Sequence, residues 1–391
     1  MFNMGYLLQD VKIASEEELE PTNILIWNDL INGIGEKITP SGEDTLIECR
    51  GKTCVPGLID LHIHGSYGIN LMEADPESVL QLADKLACQG VTAFLATTAG
   101  KSIQAIKKNC YEISEAIAQQ ESGARIMGIH VEGPFFNKSS PARGANNPSW
   151  LRTPDVEEAK EIIEACKGNL KLFDIAPELP GAREVVDLMI SQGVTVSAAH
   201  SDATYDQAQK GFDWGINHLT HTYNGMRRVH HREPGIVTAA LLDNRVWLEI
   251  IADGQHVHPR MIELIFRLKG LHGMGAVTDA TMLAGLPPGE YDFIGTKVLL
   301  ETDRAYLKEE GTLAGSIATG MDLFMNLCNW GFSVHNAAMI CSSSPARHMG
   351  WTEIGEIRVG MKADLIILGD GGADITFIDG QIAHQNQDTS T

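Results

Sequence analysis

Short apolar segments alternate with longer amphipathic segments through the central part of this chain, and this alternation constrains the fold more than any other feature. The apolar segments are Val55–His64, Val91–Thr97, Arg125–Glu132, Lys171–Glu178, Val194–His200, Asn217–His221, Trp247–Asp253 and Ala276–Ala280. The segments of helical periodicity between them are Pro76–Gln89, Ser102–Gln120, Pro154–Cys166, Gly181–Gln192 and Pro259–Lys269. Nearly continuous apolar strands separated by helices indicate an α/β protein with a parallel sheet that is covered on both faces. Eight such strands predict a (β/α)8 barrel of the TIM type, and the alternative is a doubly wound open sheet.

Strand-like patterns appear again at both ends of the chain. They are Asn23–Trp27, Leu46–Cys49, Gly355–Val359, Ala363–Leu368 and Ile375–Ile378. Asn32-Gly33 and Asp379-Gly380 are typical turn pairs, and the second predicts a hairpin. We therefore expect residues 1–55 and 350–391 to form one small β-sandwich domain beside a barrel of residues 56–349.

The net charge and the cysteines exclude several kinds of function. A formal net charge of −21 argues against binding to nucleic acid or to an anionic membrane, since either surface would be basic. The seven cysteines are scattered and form no CxxC pair, which favours a reducing cytoplasm over a disulfide framework. The N-terminus does not resemble a signal peptide, and no apolar run reaches the roughly 18 residues of a membrane span. We expect a cytoplasmic protein that acts on small molecules.

A histidine pair lies at the end of the first predicted barrel strand, the end at which TIM barrels carry their catalytic residues. His62 and His64 are two residues apart, so on a strand their side chains point to the same face. Two neutral imidazoles placed in this way can bind one metal ion. The alternative is a pair of ordinary polar residues at a strand end, but the apolar strand that precedes them favours the metal ligands.

Three further candidate ligands end later strands. Glu132 closes the third strand, where its carboxylate could bind one ion or bridge two ions; the alternative is a glutamate that caps a loop or pairs with Arg143. His200 and His221 close the fifth and sixth strands, and neutral imidazole suits Zn²⁺ and Fe²⁺. For each histidine the alternative is a buried ring bonded to a backbone carbonyl, and we favour such a structural role for the neighbouring His218.

Two more residues are candidates for proton transfer and substrate contact. Asp279 ends the eighth strand, where it could cap the next element or, beside a metal-bound water, carry protons. His256 follows the seventh strand, where it could lie on a surface loop or donate to a substrate carbonyl.

Several motifs together resemble the amidohydrolase superfamily and, within it, the N-acetylglucosamine-6-phosphate deacetylases. The motifs are PGLIDLHIHG at 56–65, HVEGPF at 130–135, AHSDAT at 199–204, HTYNGM at 221–226, REPG at 232–235, ADGQHV at 252–257, VTDAT at 277–281 and GTLAGS at 311–316. This resemblance covers nearly the whole chain. It implies a metal-dependent enzyme that removes the acetyl group from an N-acetylated amino-sugar 6-phosphate.

The resemblance also implies a role for each candidate ligand. Glu132, His200 and His221 would hold a main divalent ion. His62 and His64 would hold a second ion, with Glu132 shared between the two. The ions would be Zn²⁺ or Fe²⁺, and Co²⁺ is also compatible with these donors.

The remaining matched positions would act on the substrate. Asp279 would be the general base and acid, and His256 would contact the substrate during catalysis. Asn224, the backbone at Gly225 and Arg232 would contact the phosphate. In the family this arginine comes from a neighbouring subunit, which implies a homodimer.

Two positions depart from the pattern of the resembled family. Asn146 stands where a histidine is common, and it is therefore a candidate contact to the sugar. Gly225 stands where alanine is usual. The predicted ligands are intact, so these departures concern the sugar, and an N-acetylgalactosamine-6-phosphate deacetylase is the alternative.

Two other functions would leave different signatures. A cyclic-amide hydrolase of the dihydroorotase or hydantoinase type commonly uses a carboxylated lysine at the end of strand four, and the segment 172–178 has no lysine. A non-catalytic sugar-phosphate-binding protein on the same barrel would be expected to have lost part of its ligand set, which here is complete.

Overall fold

The computed structural model describes residues 5–16, 20–40, 42, 44–293, 296–309, 311 and 313–386. Its strands in chain order are β1 (Gly5–Ile13), β2 (Thr22–Trp27), β3 (Leu30–Ile34), β4 (Thr45–Glu48), β5 (Thr53–Pro56), β6 (Leu58–Ile63), β7 (Gly65–Ser66), β8 (Ile69–Asn70), β9 (Val91–Thr97), β10 (Arg125–Val131), β11 (Leu170–Ile175), β12 (Thr195–Ala198), β13 (His218–Leu219), β14 (Trp247–Ile251), β15 (Met274–Val277), β16 (Gly289–Phe293), β17 (Thr296–Leu300), β18 (Ala305–Leu307), β19 (Leu365–Gly369), β20 (Gly372–Ile378) and β21 (Gln381–Gln385). Its α-helices are α1 (Pro76–Ala87), α2 (Ile103–Gln119), α3 (Val156–Ala165), α4 (Ala182–Ser191), α5 (Tyr205–Asp213), α6 (Gly235–Leu242), α7 (Pro259–Lys269), α8 (Gly320–Asn329), α9 (Val334–Ala338) and α10 (Ser344–His348).

Eight parallel strands form the central sheet in the order β6-β9-β10-β11-β12-β13-β14-β15. The two outer strands of this order meet, because the His64 amide donates to the Ala280 carbonyl at 2.8 Å and the Asp279 amide donates to the His62 carbonyl at 2.8 Å. Ile63 and Ala280 form a parallel bridge at the same seam. The sheet is therefore a closed barrel, as the alternating pattern predicted. The alternative, an open doubly wound sheet, is wrong. The carboxyl ends of all eight strands consequently surround one opening.

Strands from both ends of the chain share a second sheet, in the order β21-β20-β19-β5-β1-β2-β3 with β4 beside β1. The pairing of β1 with β2 is interrupted between Leu8 and Val11, and after this irregularity Lys12 pairs with Thr53 of β5. The bend lets the two halves of the sheet enclose their own core, which includes Ile24 and Phe377. This arrangement is the expected small sandwich. The boundaries 1–55, 350–391 and 56–349 stay a prediction, and residues 1–4 and 387–391 lie outside the described residues.

The helices begin where the sequence supplies capping groups. The Asp75 side chain accepts the Ser78 amide at the start of α1, and Thr204 with Gln207 forms a capping box on α5. Where helices were predicted, their bounds differ from the expected ones by two residues or fewer. Among the described helices, none is both long enough and apolar enough to cross a membrane.

One predicted strand, Val55–His64, was wrong as a single element. Val55 and Pro56 belong to β5 and pair with β19 of the small sheet, whereas Leu58–Ile63 is the first barrel strand. The chain changes sheets at Gly57, whose amide donates to the Asp364 carbonyl at 2.9 Å. Continuous hydrophobicity could not reveal this change, because both halves are fully buried.

Two further predictions at the chain ends were wrong, and one is confirmed. Asn32-Gly33 is not a turn: Gly33 pairs with Leu25 and Ile31 with Ile26, so Asn32 is the extra residue of a bulge in β3. Gly355–Val359 forms no strand, since this described segment consists of bends and turns. Asp379-Gly380 does form the predicted two-residue hairpin, with both residues at positive φ.

Candidate metal centre

Glu132, His200 and His221 converge at the opening of the barrel, where β10, β12 and β13 end. Oε1 of Glu132 lies 2.9 Å from Nε2 of His200 and 3.3 Å from Nε2 of His221. The two Nε2 atoms are 3.2 Å apart. All three side chains are buried. The three strand ends thus direct one oxygen and two ring nitrogens at the same small volume.

The backbone presents His200 and His221 in an uncommon conformation. Their φ angles are 45° and 35°, in the left-handed region that side-chain-bearing residues rarely adopt. Non-glycine residues of this kind are typically held at functional sites by the surrounding structure. Around His200, the Ala142 carbonyl lies 2.9 Å from Nδ1 and accepts its proton. This bond leaves Nε2 as the nitrogen with a free electron pair, which is the form that binds a metal.

A second cluster of donors adjoins the first. Nε2 of His62 lies 3.1 Å from Nε2 of His64, and Oδ1 of Asp279 lies 3.5 Å from the former and 3.3 Å from the latter. The other carboxylate oxygen of Glu132, Oε2, lies 3.5 Å from Nε2 of His64. Glu132 therefore faces both clusters, one with each oxygen. A carboxylate in this position could bridge two ions.

In both clusters the carboxylates and the histidines shift one another's pKa values toward the charged forms. Burial raises the pKa of Glu132, but His200 and His221 lower it by more, to well below its usual range. Burial lowers the pKa of His221, but Glu132 raises it by more, to about 9. Positive charge on buried imidazoles thus balances the carboxylates, and a divalent ion could supply that charge while replacing the protons. Imidazole and carboxylate donors in this number fit Zn²⁺, Fe²⁺ or Co²⁺.

A cavity of about 420 Å³ opens over the two clusters. Among the predicted substrate contacts, Asn146, Asn224, Gly225 and His256 line it, together with Asp279. Such a volume suits a small molecule of the size of a sugar. The Asn146 amide nitrogen lies 3.3 Å from Nε2 of His200, so this residue stands at the edge of the Glu132 cluster.

His256 is held on the cavity wall by a carboxylate. Its Nδ1 lies 2.6 Å from Oδ2 of Asp253, and its backbone amide donates to Oδ1 at 2.9 Å. Nε2 is consequently the ring nitrogen that is left for the cavity.

Arg232 is the one predicted substrate contact that the chain does not bring to the cavity. It is exposed on the segment that follows Asn224, and its backbone amide lies 3.4 Å from Nδ1 of His230. A single chain therefore provides all predicted ligands and cavity contacts except this arginine.

The backbone at Gly225 explains why this position carries no side chain. Its φ angle is +58°, and a Cβ atom there would lie 2.5 Å from Nδ1 of His200 and 3.1 Å from the Ala142 carbonyl oxygen. We therefore expect Gly225→Ala to lower the free energy of unfolding by about 2–5 kcal/mol, from backbone strain plus overpacking. Chemical denaturation of the purified variant measures this change.

Gly193→Ala is the matched control for this substitution. Gly193 has a φ of +72° but nothing within 4 Å of the added Cβ, so only backbone strain is expected, about 1–2 kcal/mol. Equal losses in the two variants would show that the His200 ring does not restrict position 225.

Glu249, Asp174 and His130 are buried polar residues of the barrel that were not singled out from the sequence. Glu249 lies 3.1 Å from Nδ1 of His62, and Asp174 lies 3.1 Å from Nε2 of His130. Their signal was available, because each is a charged residue inside an apolar strand or strand end. His218 is buried outside the ligand clusters as expected, but Glu249 and His348 face its two nitrogens instead of a backbone carbonyl.

The sequence matches the amidohydrolase family over residues 53–383. It is 34% identical to an N-acetylglucosamine-6-phosphate deacetylase of Bacillus subtilis (strain 168), with 96% of each chain covered. It is 33% identical to the enzyme of the same name from Vibrio furnissii, covering 84% of this chain and 82% of the relative. An N-acetylgalactosamine-6-phosphate deacetylase of Escherichia coli O157:H7 is also 33% identical, over 84% of this chain and 87% of its own.

Solved structures of similar proteins share the whole architecture. A variant of N-acetyl-D-glucosamine-6-phosphate deacetylase from Mycobacterium smegmatis, in complex with N-acetyl-D-glucosamine-6-phosphate, superposes with a TM-score of 0.89 at 27% identity, over 97% of this chain and 99% of that one. The N-acetylglucosamine-6-phosphate deacetylase of Thermotoga maritima gives a TM-score of 0.86 at 28% identity, with 97% and 100% covered.

Proposed function

We propose that this chain, which belongs to the amidohydrolase family, hydrolyses the acetamide of an N-acetylhexosamine 6-phosphate. Within that family it belongs to the N-acetylglucosamine-6-phosphate deacetylases. The products are acetate and the amino-sugar 6-phosphate. N-acetylglucosamine 6-phosphate is the substrate we favour, since most of the named relatives act on it. The observation that carries the proposal is the approach of His64 both to Glu132 of the first cluster and to Asp279, beneath one cavity.

Two divalent ions per chain are part of this proposal. Glu132, His200 and His221 would hold one, and His62 and His64, with the second oxygen of Glu132, would hold the other. Zn²⁺ and Fe²⁺ are the ions we favour for this donor set. When bound, the metal would supply a polarised acetamide carbonyl and a water of lowered pKa.

Asp279 is the proton carrier in this proposal. Burial raises the pKa of this side chain, but the neighbouring histidines, His62 first, lower it to about 2, so that the carboxylate is ionised at neutral pH. It can therefore take the proton of the attacking water. It then delivers this proton to the nitrogen as the C–N bond breaks, which converts the amide into acetate and an amine.

His256 orients and polarises the acetyl group. Asp253 fixes the ring through Nδ1, so that Nε2 is directed to a substrate in the cavity. As an imidazolium, with a proton on each ring nitrogen, His256 would donate from Nε2 to the carbonyl oxygen, where negative charge grows as water attacks. Asn146, Asn224 and Gly225 would contact the sugar and its phosphate.

An acetate-release assay over a small substrate panel tests the proposed function. The panel contains the gluco, galacto and manno N-acetylhexosamines, each with and without the 6-phosphate. We expect turnover of the 6-phosphates, greatest for the gluco epimer. Chelation should abolish this activity, and added metal should restore it. A preference for the galacto epimer would assign the chain to the activity named for the Escherichia coli relative. No release from any member would overturn the proposal.

A homodimer that shares Arg232 across its interface is the assembly we propose. The exposed position of Arg232 outside its own cavity supports this assembly. In a symmetric dimer each chain could offer its arginine to the cavity of the other. The substrate phosphate would then be bound by both subunits.

Mixing two inactive variants tests this assembly. Arg232→Ala and Asp279→Asn should each lose nearly all activity as pure proteins. In each mixed dimer, one of the two sites would combine an intact Asp279 with an intact Arg232 of the partner. Because about half of the dimers would be mixed, about a quarter of the wild-type activity should return. Separate refolding of the two proteins before mixing is the control. No recovery on co-refolding, with dimers confirmed by light scattering, would contradict a shared arginine.

A cytoplasmic location completes the proposal. The seven cysteines are all free, and most are buried thiols. A reducing compartment suits such a set.

A further inference from the structure

Glu249 is a carboxylate that lies below the candidate metal centre and does not reach the cavity. It is fully buried in the middle of β14, whose other residues are all apolar. Burying an ionised carboxylate is costly unless hydrogen bonds compensate for the lost water. The partners of Glu249 therefore indicate what it does.

One oxygen of Glu249 contacts both ligand clusters. Oε2 lies 3.1 Å from Nδ1 of His62 and accepts the backbone amide of His221 at 3.1 Å. The His221 backbone has a positive φ, so this bond holds a turn that is otherwise unfavourable. The His62 contact places the ring proton on Nδ1 and leaves Nε2 unprotonated toward His64.

The other oxygen of Glu249 faces a histidine on the side away from the cavity. Oε1 lies 2.9 Å from Nε2 of His218, and Nδ1 of His218 lies 3.0 Å from Nε2 of His348. The His348 ring stacks on Trp247 with centroids 4.7 Å apart. This packing leaves the Glu249 carboxylate little freedom to move.

We propose that Glu249 is a positioning residue that orients His62 as a ligand of the second ion and braces the turn that carries His221. It touches neither substrate nor reacting atoms. The inference rests on the proposed function, because it assumes an ion at the His62 and His64 cluster. When a histidine binds a metal through one ring nitrogen, a carboxylate that accepts the proton of its other ring nitrogen commonly strengthens metal binding by about 10–100-fold.

Ion affinities of two Glu249 variants test this role. Chelator-treated protein is titrated with Zn²⁺ against a chromophoric chelator, and bound ions are counted by elemental analysis. Glu249→Gln keeps one acceptor oxygen, so we expect the weaker ion to lose about 10-fold in affinity. Glu249→Leu removes both oxygens and should cost about 100-fold. In a His64→Ala background, which has lost the second cluster, Glu249→Gln should change the remaining affinity by less than about 3-fold.

Asp174→Asn is the matched control, since Asp174 is equally buried and faces His130 instead of a predicted ligand. It should leave both ion affinities at the wild-type values, while circular dichroism confirms that each variant is folded. If Glu249→Leu does not fold, the isosteric Glu249→Gln decides alone. Wild-type affinities in Glu249→Gln, or an equal loss in Asp174→Asn, would overturn the inference.

Failure of this inference differs from failure of the proposed function. Wild-type protein that binds two ions but releases no acetate would reject the deacetylase and leave the Glu249 test intact. Wild-type protein that binds one ion and still deacetylates would reject the role of Glu249 toward a second ion and leave the reaction in place.

Discussion

Asp279→Asn is expected to lower kcat by a factor of about 10²–10⁴, the usual contribution of a positioned acid or base. Asparagine has nearly the same shape, but it cannot take a proton from water or give one to the departing nitrogen. The Glu132, His200 and His221 cluster does not include Asp279, so its ion should remain. KM should change little, because in the proposed mechanism Asp279 would act on the reacting atoms and not on the phosphate.

Steady-state kinetics together with elemental analysis of the same sample separate the two ways in which this variant could fail. Loss of kcat with one or both ions still bound supports proton transfer. A variant that has lost every ion would show instead that Asp279 is needed as a ligand, since it also lies 3.3 Å from Nε2 of His64. Turnover near the wild-type rate would remove Asp279 from the mechanism.

The barrel could be predicted because its signals are local and repeated. Each βα unit contributes an apolar strand and an amphipathic helix, and a parallel sheet of this kind admits few topologies. The change of sheet at Gly57 was not predictable in the same way. Val55 and Leu58 are equally apolar and equally buried, and only the pairing of Val55 with Ile366, far along the chain, separates them. Sequence periodicity carries no information on such a distant partner.

The convergence of the candidate ligands could be predicted because the ends of barrel strands lie close together in space. His62, Glu132, His200 and Asp279 are far apart in sequence, yet each ends a strand and all the strand ends surround one opening. The supporting residues were harder to find. Glu249 and Asp174 lie within strands, where a charged residue has no partner until neighbouring strands are known. The glycine at position 225 likewise has its explanation in the His200 ring and not in its own neighbours.

Glu132→Gln should have the largest effect on the metal centre, because Glu132 directs one carboxylate oxygen toward each cluster. An amide offers a single acceptor oxygen, and its NH₂ group would direct protons toward one of the ion positions. We expect the variant to lose at least one ion per chain. Since a catalytic metal ion typically contributes several kcal/mol of transition-state stabilisation, kcat/KM should fall by about 10³-fold or more.

His64→Ala and His200→Ala are the controls for the Glu132→Gln variant. Each removes a ligand from one cluster only, so each should lose one ion while the other is kept. If Glu132 bridges the clusters, Glu132→Gln should bind fewer ions than His64→Ala, or bind its remaining ion more weakly. A Glu132→Gln protein with two tightly bound ions and normal kcat/KM would show that the carboxylate bridges nothing. The two histidine clusters would then have to hold their ions independently, and the close approach of Glu132 to His64 would have no role in catalysis.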